Sequence, residues 1–252
     1  MKTIKKIQKL VYNIVKFFLL IFYKGYDFYG TENIPDCPCF IIGNHSQMNG
    51  PLVAELFFPK KAYAWCAAEM MVLKEVPSYT HKDFWWSKPK WRQPFYKILS
   101  YIIAPLSVCI FNSAKTIPTY HDKRIIKTFK SSIGKMQQGN NIIIFPEYKQ
   151  PYNNILCDFQ KGFVDVARIY AKKTGNTAYF VPMYISPKLR QVHFAKPIAF
   201  DTDDDINAQR EKICDYIKQS ITQMAVDLPR HKVIPYNNFK KSMYKYNREK
   251  GE

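Results

Sequence analysis

Acidic side chains are scarce in this sequence, and its first 24 residues contain none. The 252 residues include 38 Lys and Arg against 20 Asp and Glu, so the formal net charge at pH 7 is +18. Residues 1–24 carry six lysines, and residues 230–252 carry seven basic and two acidic side chains. A positive excess gathered in these two segments favours attachment to an anionic surface such as a membrane.

Internal repeats, low-complexity tracts and a zinc-type cysteine spacing are also missing. The six cysteines are scattered, and Cys37-Pro-Cys39 lacks the spacing of a zinc knuckle. Several cysteines fall in apolar runs, where a free thiol packs as a small hydrophobic group. We therefore expect no metal site. Free thiols of this kind also indicate a reducing compartment, which for a membrane-associated protein is the cytoplasmic face.

A long uninterrupted apolar run is absent near the N-terminus. The stretch Leu10–Tyr23 contains Asn13 and Lys16 and is shorter than the roughly 20 residues that span a bilayer. At helical spacing one face collects Lys2, Lys5, Lys6, Lys9 and Lys16, and the opposite face collects Ile4, Ile7, Val11, Ile14, Val15, Phe18 and Phe22. The pattern predicts an amphipathic membrane-interface helix over residues 1–30. The alternatives are a helix packed on the protein's own core and a short tilted or re-entrant insertion.

Aromatic and basic side chains are mixed in a second segment, residues 84–111. Its members include Trp85, Trp86, Trp91, Phe95, Tyr96 and Tyr101 together with Lys88, Lys90, Arg92 and Lys97. Such a mixture suits the headgroup level of a bilayer. A flap over a ligand pocket is the second interpretation, and a surface that stacks on nucleic-acid bases is the third. An apolar helix over Ile98–Ile103 is predicted to stop before Pro105.

Apolar runs alternate with amphipathic helical patterns in the rest of the chain. Strands are predicted at 39–42, 62–66, 142–145, 178–186, 191–194 and 197–200, and helices from Pro51 and over 122–139, 161–174 and 203–228. This alternation is typical of an α/β domain with a mostly parallel central sheet covered by helices. We predict one such domain over residues 31–230, followed by a basic tail over residues 231–252.

Two polar residues directly follow two of the predicted strands. His45 lies on a strand-to-helix loop, and Glu147 follows strand 142–145, which Pro146 ends because proline has no N–H to donate. The carboxyl ends of parallel strands share one edge of an open α/β sheet, where ligands bind. Histidine is well suited to accept a proton near neutral pH, so the pair predicts a reactive site at this edge. The alternative for His45 is a local hydrogen bond without a chemical role.

Four short motifs, taken in order, resemble those of the lysophospholipid acyltransferase superfamily. They are Asn44-His45, the IPTY stretch Ile117–Tyr120, the FPE turn Phe145–Glu147 and the AYFVPMYIS stretch Ala178–Ser186, and the resemblance covers roughly residues 25–200. The departures are equally specific. The family's first motif is His, four residues and Asp, and Gly50 stands here at the Asp position. Tyr148 replaces the glycine after FPE, and the family's next Arg would fall near His121 and Arg124.

The resemblance implies an acyltransferase-like α/β fold and a membrane-associated enzyme of phospholipid biosynthesis. Such an enzyme moves a fatty acyl group from acyl-CoA or acyl carrier protein to a hydroxyl of a glycerol-phosphate or lysophospholipid acceptor. The resemblance implies His45 as general base and assigns acceptor binding to Asn44, Pro146, Glu147, His121, Arg124, Lys149 and Lys161. It implies no metal, no bound cofactor and no nucleic-acid partner.

Asn49 is the residue that could replace the missing Asp in part. Its side-chain carbonyl can accept a hydrogen bond from an imidazole N–H, although an amide lacks the charge that would stabilise imidazolium. The alternative is that Asn49 or Gly50 caps the following helix. Likewise, residues 149–163 could bind the acceptor's phosphate or form an ordinary polar loop. The absent Asp leaves open a second function, a catalytically silent relative that binds lipid or carrier.

Overall fold

A computed structural model of the chain describes residues 2–86 and 88–249. The side chain of Lys2 on the predicted basic face, and residues 250–252 of the predicted tail, lie outside the described residues. The helices are α1 (Lys2–Phe22), α2 (Asn49–Phe57), α3 (Val76–Thr80), α4 (Gln93–Phe111), α5 (Ile125–Met136), α6 (Asp165–Thr174) and α7 (Ile206–Asp227). The strands are β1 (Asp27–Tyr29), β2 (Phe40–Gly43), β3 (Ala62–Ala67), β4 (Thr116–Thr119), β5 (Asn141–Ile144), β6 (Glu147–Pro151), β7 (Cys157–Phe159), β8 (Tyr179–Ser186), β9 (Gln191–Phe194) and β10 (Ile198–Ala199).

The chain divides into two compact units. One consists of Met1–Lys24 and Ala64–Thr128 and is called the helical unit here; the other consists of Gly25–Tyr63 and Phe129–Glu252 and is called the sheet unit. His45 and Glu147 both belong to the sheet unit. The four tryptophans, Trp65, Trp85, Trp86 and Trp91, all belong to the helical unit.

The sheet unit is built around the apolar strands β2 and β5, whose residues are all buried. Strand β2 lies between β8 and β5 and runs parallel to both, with Ile42 opposite Ile144 in β5 and Pro182 in β8. Beyond β8 come β9, which is antiparallel to β8, and β1, which is parallel to β9; β10 pairs antiparallel with β8. Near-continuous apolar strands of this kind are typical of a sheet that is covered on both faces. The predicted α/β class with a mostly parallel sheet is confirmed.

Helices α6 and α7 begin and end close to the residues where the sequence predicts it. Asp205 precedes α7, and its carboxylate accepts hydrogen bonds from the backbone N–H groups of Asn207 (2.8 Å) and Ala208 (3.3 Å). This is the preferred chemistry of a helix N-terminus. At the C-terminal end of α6, Gly175 adopts a left-handed conformation (φ 71°) that ends the helix. Helix α7 packs against β8.

Helix α4 continues through Pro105, so the predicted stop before this proline is wrong. A proline removes one helical hydrogen bond and normally interrupts a helix. Here Ser100, Ala104 and Ser107 form a buried stripe of small side chains inside the helical unit, and the Ser107 hydroxyl donates to the carbonyl of Met70 at 3.1 Å. Packing along this stripe therefore offsets the cost of the proline.

Large apolar side chains of α1 and α4 face outward from the helical unit. The two helices contact each other, and Ile7, Ile14 and Phe18 of α1 are nevertheless exposed. On α4 and the turn before it, Trp91, Phe95, Ile98, Tyr101, Ile102 and Leu106 are exposed as well. In the described part of the chain, one segment, Lys90–Phe111, is long and apolar enough to cross a membrane. Exposed apolar surface of this extent is unusual for a soluble monomer.

Residues 149–163 contain a β-hairpin, where the sequence suggested a polar loop. Strands β6 and β7 pair antiparallel, with Glu147 opposite Phe159 and Pro151 opposite Cys157. In the turn between them, the side-chain oxygen of Asn153 accepts hydrogen bonds from the backbone N–H groups of Ile155 and Leu156, each at 2.8 Å. An Asn side chain that binds the backbone in this way stabilises a tight turn. The hairpin fixes Glu147 at the first position of β6, and the register of the pairing shifts between Glu147 and Pro151.

Candidate active site

His45 and Glu147 meet at the carboxyl ends of two adjacent strands. Strands β2 and β5 are parallel neighbours, so the loops that follow them leave the same edge of the sheet. The backbone N–H of His45 donates to Oε2 of Glu147 at 2.5 Å. The other oxygen, Oε1, accepts the backbone N–H of Cys157 at 2.9 Å. One carboxyl group therefore joins the loop after β2 to the β6–β7 hairpin.

Glu147 is 4% exposed, and its environment favours the neutral carboxyl more than water does. Burial raises the pKa of Glu147 to about 7, while the hydrogen bonds from the His45 and Cys157 backbone oppose that shift. Desolvation penalises the charged form, and hydrogen bonds to the carboxylate favour it. Around neutral pH this group is therefore divided between its two protonation states.

The imidazole of His45 packs between two aromatic rings. Its centroid lies 5.5 Å from that of Phe145 and 5.4 Å from that of Tyr236, and both contacts are edge-to-face. Burial lowers the pKa of His45 to about 4, and the nearby backbone of Gln47 and of His45 itself opposes part of that shift. Within residues 2–86 and 88–249, no group reaches the buried Nδ1 atom with hydrogen-bond geometry. The ring is therefore neutral at pH 7 and is not oriented through Nδ1.

The turn after His45 is strained and tightly held. Ser46 and Gln47 have φ angles of 46° and 55°, in the left-handed region that residues other than glycine rarely adopt. Asn44 anchors the turn: its Nδ2 donates to the Ser46 hydroxyl (2.8 Å) and to the Ile185 carbonyl (3.0 Å), and its Oδ1 accepts the Ile185 N–H (2.7 Å). Asn44 is 2% exposed, so the structure gives it a positioning task where the sequence suggested substrate binding.

Gly50 stands where the resembled family has its Asp, and the structure leaves no room there for a side chain. A Cβ atom at this position would lie 2.6 Å from the carbonyl oxygen of His45 and 2.9 Å from that of Asn44. Real Cβ atoms do not approach backbone oxygens so closely. Moreover, the Gly50 N–H donates to the His45 carbonyl at 3.0 Å, which fixes this close approach. The loop thus requires glycine where the family has a carboxylate.

Asn49 does not take over the role of the missing Asp through Nδ1 of His45. The amide Nδ2 of Asn49 and its backbone N–H both donate to the Ser46 carbonyl, at 2.9 Å and 3.1 Å. The N-cap of α2 is Met48, one residue before the predicted Asn49 or Gly50. The side chain of Asn49 therefore helps to close the turn between β2 and α2.

Three of the residues predicted near the FPE turn have other tasks or lie on the surface. Lys161 forms an ion pair with Glu211 of α7, which occupies its ammonium group. Pro146 is buried, and its carbonyl accepts the backbone N–H of Gln160 at 2.9 Å. Lys149 is exposed on β6. A role of these residues in acceptor binding stays a prediction.

His121 and Arg124 belong to the helical unit. His121 is exposed. The guanidinium of Arg124 pairs with Asp122 at 2.8 Å and lies over the ring of Tyr120 at 4.6 Å. The charge of Arg124 is thus matched by a neighbour two residues away, and its role in acceptor binding stays a prediction.

A C-terminal segment, residues 229–247, packs on the loop that carries His45, which the sequence did not indicate. Besides the contact from Tyr236 to the imidazole, the Gln47 side chain donates to the hydroxyl of Tyr244 at 3.0 Å. The frequent aromatic residues of this segment were the one sequence signal that it packs on the protein, because an exposed basic tail is normally poor in aromatic residues. Nothing in the sequence indicated the partner of any one of them.

Asn247 fastens the far end of the C-terminal segment. It is 4% exposed; its Oδ1 accepts the His231 N–H at 2.8 Å and its Nδ2 donates to the Ala225 carbonyl at 2.7 Å. His231 in turn lies 2.8 Å, Nε2 to hydroxyl oxygen, from Tyr184 of β8. In the described part of the chain, no cluster of three His, Cys, Asp or Glu side chains could hold a metal ion.

Comparison with solved structures shows a similarity to an acyltransferase. The crystal structure of the 1-acyl-sn-glycerophosphate (LPA) acyltransferase PlsC from Thermotoga maritima is similar at 16% sequence identity, over 90% of this chain and 82% of that chain, with a TM-score of 0.48. No family model matches the chain, and no curated protein matches it. At these values the function has to be argued from the residues of the site.

Proposed function

We propose that this chain is a membrane-associated acyltransferase. It moves a fatty acyl group from acyl-CoA or acyl carrier protein to a hydroxyl of a glycerol-phosphate or lysophospholipid acceptor. The observation that carries the proposal is the hydrogen bond from the His45 backbone to Glu147, where two parallel strands end side by side. It joins the Asn44-His45 and FPE motifs in one site, and these are the two motifs on which the resemblance mainly rests.

The proposed chemistry uses the neutral imidazole of His45. The acceptor hydroxyl gives its proton to the ring while its oxygen attacks the carbonyl carbon of the thioester. The new C–O bond forms, the C–S bond breaks, and the carrier leaves as a thiol with the proton from the imidazolium. Glu147 holds the backbone of His45 in place and remains a positioning residue in this scheme.

We propose that α1 and α4 bring the enzyme to the cytoplasmic face of a membrane. The supporting observation is the exposed apolar surface of the helical unit, with basic side chains such as Lys5 and Lys9 on the same helix. Apolar residues beside basic ones suit an anionic bilayer surface. The six free cysteines are consistent with a reducing compartment.

The deciding experiment is an acyl-transfer assay on the full chain. Purified protein is given acyl-CoA with either lysophosphatidic acid or glycerol 3-phosphate, and release of the free thiol is followed. We expect turnover in the wild type and a loss of about 10²- to 10⁴-fold in His45→Ala, the usual range for a general base. His193→Ala is the matched control, because His193 stacks on Tyr29 at the edge of the sheet, away from Glu147. Equal thiol release by wild type and His45→Ala would contradict the proposal.

A catalytically silent relative that binds lipid or carrier is the second candidate function. Two observations favour it: Gly50 leaves no space for an acid, and Nδ1 of His45 lacks an orienting partner among the described residues. In the same assay a silent protein would give no thiol release with any acceptor, while still sedimenting with anionic vesicles.

A further inference from the structure

A cleft lined by lysines opens beside the loop that carries His45. It has a volume of about 330 Å³, and its walls include Gln47 and Asn49 from the loop and Lys188, Lys232 and Lys241 from elsewhere in the sheet unit. In the part of the chain that the structure describes, no acidic side chain lines it. We call it the lysine cleft.

The three lysines come together from separate parts of the chain. Lys188 lies in the turn between β8 and β9, Lys232 lies in the C-terminal segment where it bridges to Tyr246, and Lys241 begins a short helical turn. Their convergence depends on the anchoring of the C-terminal segment, which Asn247 provides. The cleft is therefore a product of the tertiary fold.

In the described part of the chain the lysines of the cleft form no ion pair, whereas two other cations of the sheet unit are paired. Lys218 pairs with Asp158 at 2.9 Å, and Arg210 pairs with Asp165 at 2.7 Å. For Lys188, Lys232 and Lys241, the structure shows no carboxylate within ion-pair distance among residues 2–86 and 88–249. Three like charges around one cavity repel each other, and a multiply charged anion relieves that repulsion.

We propose that the lysine cleft binds a phosphate ester through the ammonium groups of Lys188, Lys232 and Lys241. Lysine is a common partner of phosphate and acts as a point charge that tolerates varied geometry. Arg124 and Lys161, the residues that the resemblance suggests for the phosphate, each have a carboxylate partner in this structure, whereas the cleft lysines have none among the described residues. Its walls include residues two and four positions after His45, so a ligand held there has its phosphate beside the loop of the base.

The choice of ligand rests on the proposed acyltransferase function. Both substrates of that reaction carry phosphate esters: the acceptor in its glycerol-phosphate headgroup, and the carrier in its nucleotide or phosphopantetheine arm. The chemistry of the cleft is the same for either source, and binding measurements can separate them without any acyl transfer taking place.

The test is a calorimetric titration of the full chain with glycerol 3-phosphate, coenzyme A and phosphate-free pantetheine. The variant Lys188→Gln/Lys232→Gln/Lys241→Gln removes the charges of the cleft. The control Lys130→Gln/Lys172→Gln/Lys173→Gln removes three exposed lysines of the same unit from α5 and α6. We expect at least about tenfold weaker binding of a phosphate ester by the cleft variant, since a charged hydrogen bond is worth that or more, and near wild-type binding by the control.

Each outcome decides between defined alternatives. Loss confined to glycerol 3-phosphate assigns the cleft to the acceptor, and loss confined to coenzyme A assigns it to the carrier. Equal weakening in both triple variants, or no weakening in either, overturns the proposal. Lys241→Glu is a second variant, whose single charge reversal should weaken binding without loss of folding. His45→Ala should bind the phosphate ester as the wild type does. A wild-type protein that binds the phosphate ester but transfers no acyl group would refute the proposed function and leave the cleft intact.

Discussion

Glu147 accepts a hydrogen bond from the backbone N–H of His45 and not from its imidazole ring. Both carboxyl oxygens are used by backbone N–H groups, one from the loop after β2 and one from the β6–β7 hairpin. The imidazole is placed by its own main chain and by contacts with Phe145 and Tyr236. In this site two aromatic rings hold the imidazole by edge-to-face contacts, and Gly50 stands at the position of the resembled family's Asp.

Gly50 yields a prediction whose sign is unusual for a helix. Gly→Ala inside a helix normally stabilises by up to about 1 kcal/mol. At Gly50 we expect a loss of about 1–3 kcal/mol in the free energy of unfolding, because the new methyl group would collide with two backbone oxygens. Urea unfolding measures the change, and Gly50→Asp should lose at least as much.

Gly134→Ala is the matched control for Gly50→Ala. Gly134 also lies in a helix, α5, and a Cβ there would meet no atom within 4 Å. Gly134→Ala should therefore leave the free energy of unfolding unchanged or raise it. If Gly50→Ala matched Gly134→Ala, the close approach of the two carbonyls would be refuted.

Glu147 makes the stability of the protein depend on pH in a defined window. Its pKa is raised from 4.5 to about 7 on folding, so its contribution to stability is fully present below about pH 4.5 and is lost as the pH rises through 7. Glu147→Gln cannot ionise. The free energy of unfolding of the wild type relative to this variant should therefore fall by about 3 kcal/mol between pH 4.5 and pH 8.

Urea titrations at fixed ionic strength test this dependence on pH. His45 is present in both proteins, so its own opposite trend, a loss of stability as the pH falls from 6.5 towards 4, largely cancels in the difference. A difference between wild type and Glu147→Gln that stays constant from pH 4.5 to pH 8 would show that Glu147 titrates normally.

At the scale of elements, the strained turn after β2 depends on the side chain of Asn44. In Asn44→Ala the Ile185 N–H and the Ser46 hydroxyl lose their partner in the protein interior. A buried polar group without a partner costs about 1–3 kcal/mol, so we expect the free energy of unfolding to fall by about 2–4 kcal/mol. Chemical denaturation measures this.

The control for Asn44→Ala is Asn176→Ala, an exposed asparagine just after α6. It should change the free energy of unfolding by less than about 0.5 kcal/mol. Equal free energies of unfolding for the two variants would mean that the hydrogen bonds between Asn44 and Ile185 of β8 do not stabilise the turn.

The elements were predictable from sequence where the signal is local. The apolar runs of β2 and β5 predicted buried parallel strands, and these in turn predicted that His45 and Glu147 would meet. Features that depend on distant partners were not predictable in this way. Lys161 pairs with a residue 50 positions away, and α4 continues past Pro105 because of packing inside its unit. Spacing in a sequence does not report such contacts.

The predicted C-terminal tail shows the same limit. The positive charge of this segment does not indicate that the segment packs on the rest of the sheet unit. That packing depends on Asn247, whose partners Ala225 and His231 lie 22 and 16 positions earlier. The lysine cleft arises from this packing, so it too was out of reach of the sequence.

At the scale of the whole molecule, the proposed function assigns the chemistry to the sheet unit and membrane contact to the helical unit. We expect Ile98→Gln/Ile102→Gln, which changes two side chains that are 63% and 67% exposed on α4, to reduce sedimentation with anionic vesicles at least about tenfold. Ile126→Gln/Phe239→Gln removes two other exposed apolar residues and should sediment as the wild type does.

The vesicle experiment is done at low and at high salt. Salt screens the attraction between charges and leaves apolar insertion in place. Binding by the wild type that disappears entirely at high salt, or that is unchanged in Ile98→Gln/Ile102→Gln, would contradict a role for the apolar surface of α4.

The placement of the four tryptophans has an optical consequence. All of them lie in the helical unit, and Trp86 and Trp91 are 74% and 75% exposed. Their indole emission should shift to shorter wavelength when this unit enters a lipid phase. The emission spectrum of the natural chain thus reports docking to lipid without any added dye.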